Sequence, residues 1–484
     1  MAPDVKSMYI NGEWRPAEGG ATFDVVNPAD RSIVAKVANG GPGDTRRAVE
    51  AAHAAFREWA ALAPKDRGQI LRRIQTLMEE RTDELARLVT LENGKPFEEA
   101  KNEVRFSLGY FGWFAEQGRR VTGEWIPSPQ PNKRYWVLRQ PLGPVAAVTP
   151  WNFPATMVTR KIAPALAAGC TVVLKPASAT PLTALAIGQI AHDAGLPPGV
   201  FNVLTTKRSG ALQAELFDHP LIRKIAFTGS TEVGKSIMEG AAKQVKRLSF
   251  ELGGNAPFIV FEDADLQAAV AGAVAIKFLR VGGQSCICAN RIYVQQSVAD
   301  RFIPAFVEAV KRLKVASGFE PGAQVGPLIN EDTRSKVHSL VEDAVKRGAR
   351  LVTGGHALAD GAYAKGYFYA PTVLLDVSED MPVAVEEIFG PVAPIMTFDT
   401  EEEVIRRAND TTFGLASYFY THDMARLVRV AEQLEYGLVG ANDSAGYTHE
   451  IPFGGFKESG LGREGGHEGI EEYTEVKSVV VNLG

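Results

Sequence analysis

Sulfur is scarce in this chain. It holds three cysteines in 484 residues, too few for a disulfide framework, so each thiol is read for reactivity under reducing conditions. No apolar run reaches the roughly 18 residues that a membrane span requires, and the opening MAPDVKSMYINGEW lacks the apolar core of a secretion signal. A surplus of one charge is missing too: Lys+Arg 52 against Asp+Glu 57 gives −5, with the basic residues spread along the chain. Nucleic acid and membrane are therefore not expected as partners, and the cytoplasm is the expected location.

What is present is globular. With 45% hydrophobic and 23% charged residues, the chain has the composition of a folded protein, and its length suits about three domain-sized units or two large lobes. The first forty residues read as short strands broken by turns, YINGEW and then TFDVVNPAD. From Asp44, read as an N-cap, Val49, Ala52, Phe56 and Trp59 fall at helical spacing, and Ile70, Ile74, Leu77, Leu85 and Leu88 continue it. Prolines at 127, 129 and 131 set residues 123–142 apart as an excursion from the main body. Beyond it GPVAAVTPW, CTVVLKP, GVFNVLT, IRKIAFTGS and APFIVFED read as buried strands, each followed by a helix-like segment. That alternation predicts a parallel sheet covered on both faces, with a second αβ series from Leu266 to Val439 and a terminal strand in YTEVKSVVVNL.

Ligands of such sheets bind where strands end. In AFTGSTEVG, Gly229 and Ser230 open a helix whose free N–H groups suit a phosphate, although Gly-Ser also serves simply as a cap. Lys175 and Ser178 in LKPAS sit just past a strand, placed for a ribose or phosphate or else solvated. Cys170 in LAAGCTVVL reads as a small buried hydrophobe. Cys286 differs because Gly282 and Gly283 precede it in VGGQSCICANR. Glu251 in FELGGNAP follows a β-run and suits a base. Asn152, fixed between prolines in TPWNFP, offers amide N–H groups to an oxyanion. Together these supply a nucleophile, a base and an oxyanion donor.

The strings VTPWNFP, LAAGCTVVLKPAS, FTGSTEVG, ELGGNAPFIV, GQSCICANR, EEIFGPV and PFGGFKESGLGREGG occur in this order. Through them the chain resembles the aldehyde dehydrogenase superfamily over essentially its full length. Within it the chain is most similar to succinate-semialdehyde dehydrogenases, through MVTRK, GNAPFIVFEDADL and CICANRIYVQ. The resemblance implies that Cys286 attacks the aldehyde carbon as a thiolate, that Asn152 and the Cys286 N–H hold the oxyanion, and that Glu251 activates the water that hydrolyses the thioester. Relatives that transfer the acyl group to coenzyme A typically lack that glutamate. It also implies an NADP or NAD site with Trp151, Glu387 and Phe389 at the nicotinamide end and Lys175 and Ser178 at the adenosine ribose. A serine at position 178, where a glutamate would repel a 2′-phosphate, predicts that NADP is accepted. Some of these relatives close a reversible disulfide across C-x-C, which makes Cys288 a candidate redox partner or else a packing residue.

Arg160 and Arg280 match arginines that semialdehyde dehydrogenases direct at a substrate anion, and Phe453 in PFGG belongs to the same pocket. The chain departs from these relatives in KFLRVGGQ, where it is one residue longer with Val281 in the asparagine place, and in NDSAGYTHE. There Thr448 stands in for a serine hydroxyl and His449 adds a donor. The expected substrate is a short aldehyde with a distal anion. Succinate semialdehyde is the first choice, and 3-sulfolactaldehyde suits the extra donors. Two other classes remain: a non-catalytic relative, against which Cys286, Glu251 and Asn152 speak, and a metalloenzyme, for which only His467 and Glu471 show ligand-like spacing. No metal is expected.

The architecture implied is a Rossmann-type cofactor domain from 1–122 and 143–251, an α/β catalytic domain from 252–460, and a small β oligomerisation flap from 123–142 and 461–484. A homo-oligomer, dimer or tetramer, follows from the flap's edges.

Overall fold

A computed structural model describes residues 5–208, 215–444 and 446–484. Two large sheets dominate these residues, and each is built from the apolar runs the sequence displays. The first has the order Gly460–Leu461, Arg247–Glu251, Lys224–Thr228, Pro144–Val148, Thr171–Lys175, Phe201–Val203, Met8–Ile10, Glu13–Arg15. Its five central strands are parallel, and antiparallel neighbours close it on each side. Pro144–Val148, Thr171–Lys175 and Lys224–Thr228 are buried throughout, as strands covered by helices on both faces must be.

The second sheet runs Arg350–Thr353, Thr372–Leu375, Val392–Phe398, Ala289–Gln295, Ala256–Val260, Ala416–Tyr420, Leu438–Ala441. All its pairings are parallel except that of Arg350–Thr353. The run APFIVFED, grouped by sequence with the first series, lies at the centre of this second sheet, because the chain crosses at Gly253 and Gly254 directly after Glu251. The expected excursion forms Glu124–Ile126 and Lys133–Pro141, and the latter pairs over nine residues with the last strand, Thr474–Asn482.

Asp44 is not the helix N-cap. The helix begins at Pro42 with Gly41 as cap, and Asp44 at its third position accepts from the Gly41 N–H at 2.9 Å. Proline at the first helical position, where no N–H is needed, moves the start three residues upstream. The helix Thr156–Ala168 is wholly buried and ends at Gly169 with φ 99°, a left-handed cap that glycine adopts without strain. Each of its Val and Ile side chains contributes about 1.5–3 kcal/mol by burial, which anchors the residues at its start. No helix among the described residues is long and apolar enough to cross a membrane.

Candidate active site

In the first sheet, strand register brings four chain segments to one edge. Val148 pairs with Lys175 and Thr228 with Glu251, so the turns carrying Trp151, Asn152, Gly229 and Ser230 emerge side by side at the carboxyl ends. There a cavity of about 370 Å³ is lined by residues that include Trp151, Asn152, Gly229, Ser230 and Leu252, and it reaches Cys286. Glu387 and Phe389 from the second half of the chain form another wall, with the Phe389 ring edge-on to Trp151 at 5.4 Å. Ser230 caps the helix Thr231–Ala242, its hydroxyl accepting from the Val233 N–H at 3.4 Å. The Thr228 hydroxyl beside it is buried and has no hydrogen-bond partner. A helix N-terminus, an unpaired hydroxyl and a flat aromatic wall fit a dinucleotide.

Lys175 ends the next strand and Ser178 lies just past it, neither in the lining of this cavity. Burial lowers the Lys175 ammonium to about 8, so an anion beside it would be favoured at neutral pH.

Cys286 sits between a turn of three left-handed residues, Val281, Gly282 and Gly283, and the strand Ala289–Gln295. The thiol is not ionised on its own. Burial, and then the charge of Glu387, push it up to about 12, while Arg160 and Arg280 act in the opposite direction. Attack as a thiolate therefore requires that the proton be taken when the reaction begins. Glu251 is buried at the end of its strand, with Oε2 free of any hydrogen-bond partner. Desolvation first, and Glu464 second, hold its carboxyl well above the usual carboxylate range against Arg160, Lys161 and Arg463. Glu387, which accepts from the Gly254 N–H at 3.0 Å, is raised to about 7 by burial. Asn152 directs Nδ2 to the Gln284 carbonyl at 3.1 Å, which ties its amide to the nucleophile loop.

Arg160 is 1% exposed, on the buried helix Thr156–Ala168. Its Nε donates to the Tyr110 hydroxyl at 3.0 Å, its guanidinium lies 4.2 Å from the Phe453 ring centre, and Nη1 has only Glu464 at 3.7 Å. Arg280 donates to the Tyr447 hydroxyl, and its buried Nε has no partner. A second cavity of about 330 Å³ is lined by Phe106, Phe153, Thr156, Arg280 and Tyr447 among others. Two buried cations with unused donors have the chemistry to hold an anion.

The loop residues expected to join them are arranged differently. Thr448 is exposed, and its hydroxyl accepts from the Glu450 N–H at 3.3 Å instead of facing the arginines. His449 packs among Phe106, Tyr110 and Trp113, with Nε2 3.0 Å from Glu450. Tyr447 is the residue of this loop that reaches Arg280, and Ala445 of the same loop lies outside the described residues. Cys288 is buried, directs its thiol at the Lys277 carbonyl 3.8 Å away, and is a free thiol like Cys170 and Cys286. His467 lies 3.5 Å from Glu471, whose carboxylate also pairs with Arg139 at 3.2 Å.

Sequence reasoning missed the segment ENGKPFEEAKNE. Its Asn93, Lys95, Glu99 and Glu103 all bond to backbone around the site. Such charged runs normally read as solvated, and only the buried Gly-Lys-Pro turn sets this one apart.

A double α/β scaffold with a nucleotide-sized cleft ending on a thiol is the arrangement of an NAD(P)-dependent oxidoreductase. The chain belongs to the aldehyde dehydrogenase family, whose model matches residues 14–479. It is 52% identical over 474 residues to the succinate-semialdehyde dehydrogenase (NADP(+)) of Escherichia coli K12, covering 98% of this chain and 97% of that protein. It is 50% identical over 471 residues to the 3-sulfolactaldehyde dehydrogenase of Pseudomonas putida, covering 97% and 96%. The crystal structure of an E. coli NADP-dependent enzyme superposes with a TM-score of 0.97 at 51% identity, over 99% of this chain and 98% of that one.

Proposed function

We propose that the protein oxidises a short aldehyde carrying a distal anion to the carboxylic acid, with succinate semialdehyde as its substrate and NADP accepted alongside NAD. The observation that carries this is the pair of guanidinium groups, Arg160 and Arg280, each with a buried nitrogen that has no hydrogen-bond partner. Residues 1–122 and 143–251 form the cofactor domain in this reading, 252–460 the catalytic domain, and 123–142 with 461–484 the flap. Trp151, Gly229, Ser230, Glu387 and Phe389 would hold the nicotinamide half of the cofactor, and Lys175 with Ser178 the adenosine ribose. When bound, the nicotinamide supplies the hydride acceptor.

The protein's own residues do the rest. The substrate anion pairs with Arg160 and Arg280, which fixes the carbonyl carbon over Cys286. The thiol proton passes to the ionised form of Glu251, whose carboxyl burial holds well above the usual carboxylate range, and sulfur adds to the carbonyl carbon. The oxyanion accepts from Asn152 Nδ2 and the Cys286 N–H. Once the aldehyde carbon has been oxidised and Glu251 has released the thiol's proton to solvent, its carboxylate takes a proton from water, which attacks the thioester carbonyl. The carbon–sulfur bond breaks, the acid is released, and the leaving thiolate takes the proton that Glu251 drew from water.

A second reading, oxidation of 3-sulfolactaldehyde, is supported by the unpartnered Arg280 Nε and Arg160 Nη1. A sulfonate has three oxygens to accept from them. Steady-state rates on carboxylated, sulfonated and neutral aldehydes with each cofactor test both readings. A neutral aldehyde of equal length turning over as well as the anionic ones ends them.

A homo-oligomer is supported by the flap, where Trp125 is 61% exposed and rests against Trp136 with ring centres 5.8 Å apart. Sedimentation finding a monomer at micromolar concentration overturns this. Free thiols at positions 170, 286 and 288 support a reducing cytoplasm.

A further inference from the structure

Lys95 and Glu103 form an ion pair whose side chains are 0% and 2% exposed. Charges removed from water this completely are costly unless every partner is supplied, and here the partners lie on one short stretch of chain. The Lys95 ammonium donates to the Asn152 carbonyl at 2.9 Å and lies 4.1 Å from the Phe153 ring centre. Glu103 Oε1 accepts from the N–H groups of Ala155 at 2.8 Å and Thr156 at 3.2 Å, the start of the helix that carries Arg160. Asn93 Nδ2 donates to the Trp151 carbonyl at 3.0 Å.

The peptide that bears the Asn152 amide is thus held from behind at four backbone groups by residues 93 to 103. In front, its side chain meets the nucleophile loop through the Gln284 carbonyl. The segment from 93 to 103 grips that loop as well, since its Glu99 accepts from the Val281 N–H at 2.8 Å.

We infer that the buried Lys95–Glu103 ion pair is a positioning element that fixes the Asn152 amide relative to Cys286. The inference rests on the role proposed above for Asn152. Neither Lys95 nor Glu103 lines the cofactor cavity, although Glu103 borders the second one, so losing the pair affects the placement of the oxyanion donor rather than cofactor binding. A misplacement on the order of 1 Å costs roughly 10²-fold in rate.

The test compares Asn152→Ala, the charge-neutral double variant Lys95→Met/Glu103→Gln, and the triple variant. Removing both charges together avoids an unpaired buried ion, and the glutamine oxygen still accepts from Ala155 and Thr156. Expected is a fall in kcat of about 10²-fold in the double variant, with the NADP Kd unchanged within twofold and KM little moved. Asn152→Ala shows a similar loss, and the triple variant is no slower than Asn152→Ala alone. Losses that multiply in the triple variant, or a double variant with unimpaired kcat, overturn the inference while leaving the role of Asn152 intact. An unimpaired Asn152→Ala overturns that role and the inference with it. Should the double variant not fold, Lys95→Arg, which keeps the charge and moves the donor, replaces it with the same readings.

Discussion

A Cβ on Gly254 would overlap the carbonyl oxygen of Cys286. The backbone carrying the candidate nucleophile is therefore seated directly on a glycine three residues past Glu251, and the two arms of the site are in register because that position has no side chain. Gly254→Ala pushes the Cys286 carbonyl away. The expected result is a loss of stability of about 1–3 kcal/mol and a fall in kcat of roughly 10²-fold. Thermal melting read beside steady-state rates checks it, and a variant with wild-type kcat contradicts the close approach.

Arg160 and Arg280 separate by chemistry. Arg160→Gln and Arg280→Gln are each expected to lower kcat/KM for succinate semialdehyde by about 2–4 kcal/mol, roughly 30- to 1000-fold, because an anion then meets an uncharged wall. Butanal, which has no anion, is expected to change by less than fivefold in Arg280→Gln. A loss of equal size on both aldehydes in that variant places Arg280 in the structure of the site rather than in its specificity.

Much of this site was legible as strings but not as geometry. Glu251 and Asn152 stand out because each sits near glycine or proline where a strand ends, and Cys286 because two glycines precede it ahead of a strand. Arg160 emerges through MVTRK, but its burial depends on a helix hidden on every side. Tyr447 was passed over for its neighbour Thr448, since the facing of alternate residues in an irregular loop is set by tertiary packing. Lys95 and Glu103 carried no signal at all: a buried ion pair and a solvated one have the same letters. The apolar run at Ala256–Val260 reads as a strand, but its spacing alone groups it with the first series, because propensity fixes a strand without fixing its neighbours.

Glu387 acts on the thiol through its charge. Its carboxyl ionises near pH 7, and the resulting anion opposes the Cys286 thiolate. Glu387→Gln is neutral at every pH, so without cofactor the rate of Cys286 alkylation by iodoacetamide is expected to follow a curve displaced to lower pH. A displacement of half a unit means about threefold faster alkylation at pH 8. Displacement to higher pH excludes the electrostatic coupling.

Cys288 is turned from the solvent toward the Lys277 carbonyl, and burial raises its thiol, so it attacks an oxidised Cys286 slowly. Peroxide is expected to inactivate the wild type and Cys288→Ala at rates within twofold of each other. If instead thiol restores activity only when Cys288 is present, the two cysteines form a reversible disulfide.

Val245 and Val281 hold the same left-handed backbone, φ 51° and 50°, which a β-branched side chain rarely adopts. They differ in what the side chain does. Val245 is 89% exposed past the end of the helix Thr231–Ala242, so nothing offsets its strain. Asparagine tolerates this conformation, and Val245→Asn is expected to gain about 1 kcal/mol, while Val245→Ala, still unsuited to positive φ, changes little. Val281 is 2% exposed, packs with Phe153 and Met157, and gives its N–H to Glu99. There asparagine gives up packing of similar size to the strain it relieves, so Val281→Asn is expected to show no gain. Melting curves of the three variants decide it. Equal gains at both positions mean that packing does not hold the turn before Cys286, and its shape is then set by Gly282, Gly283 and the Glu99 bond.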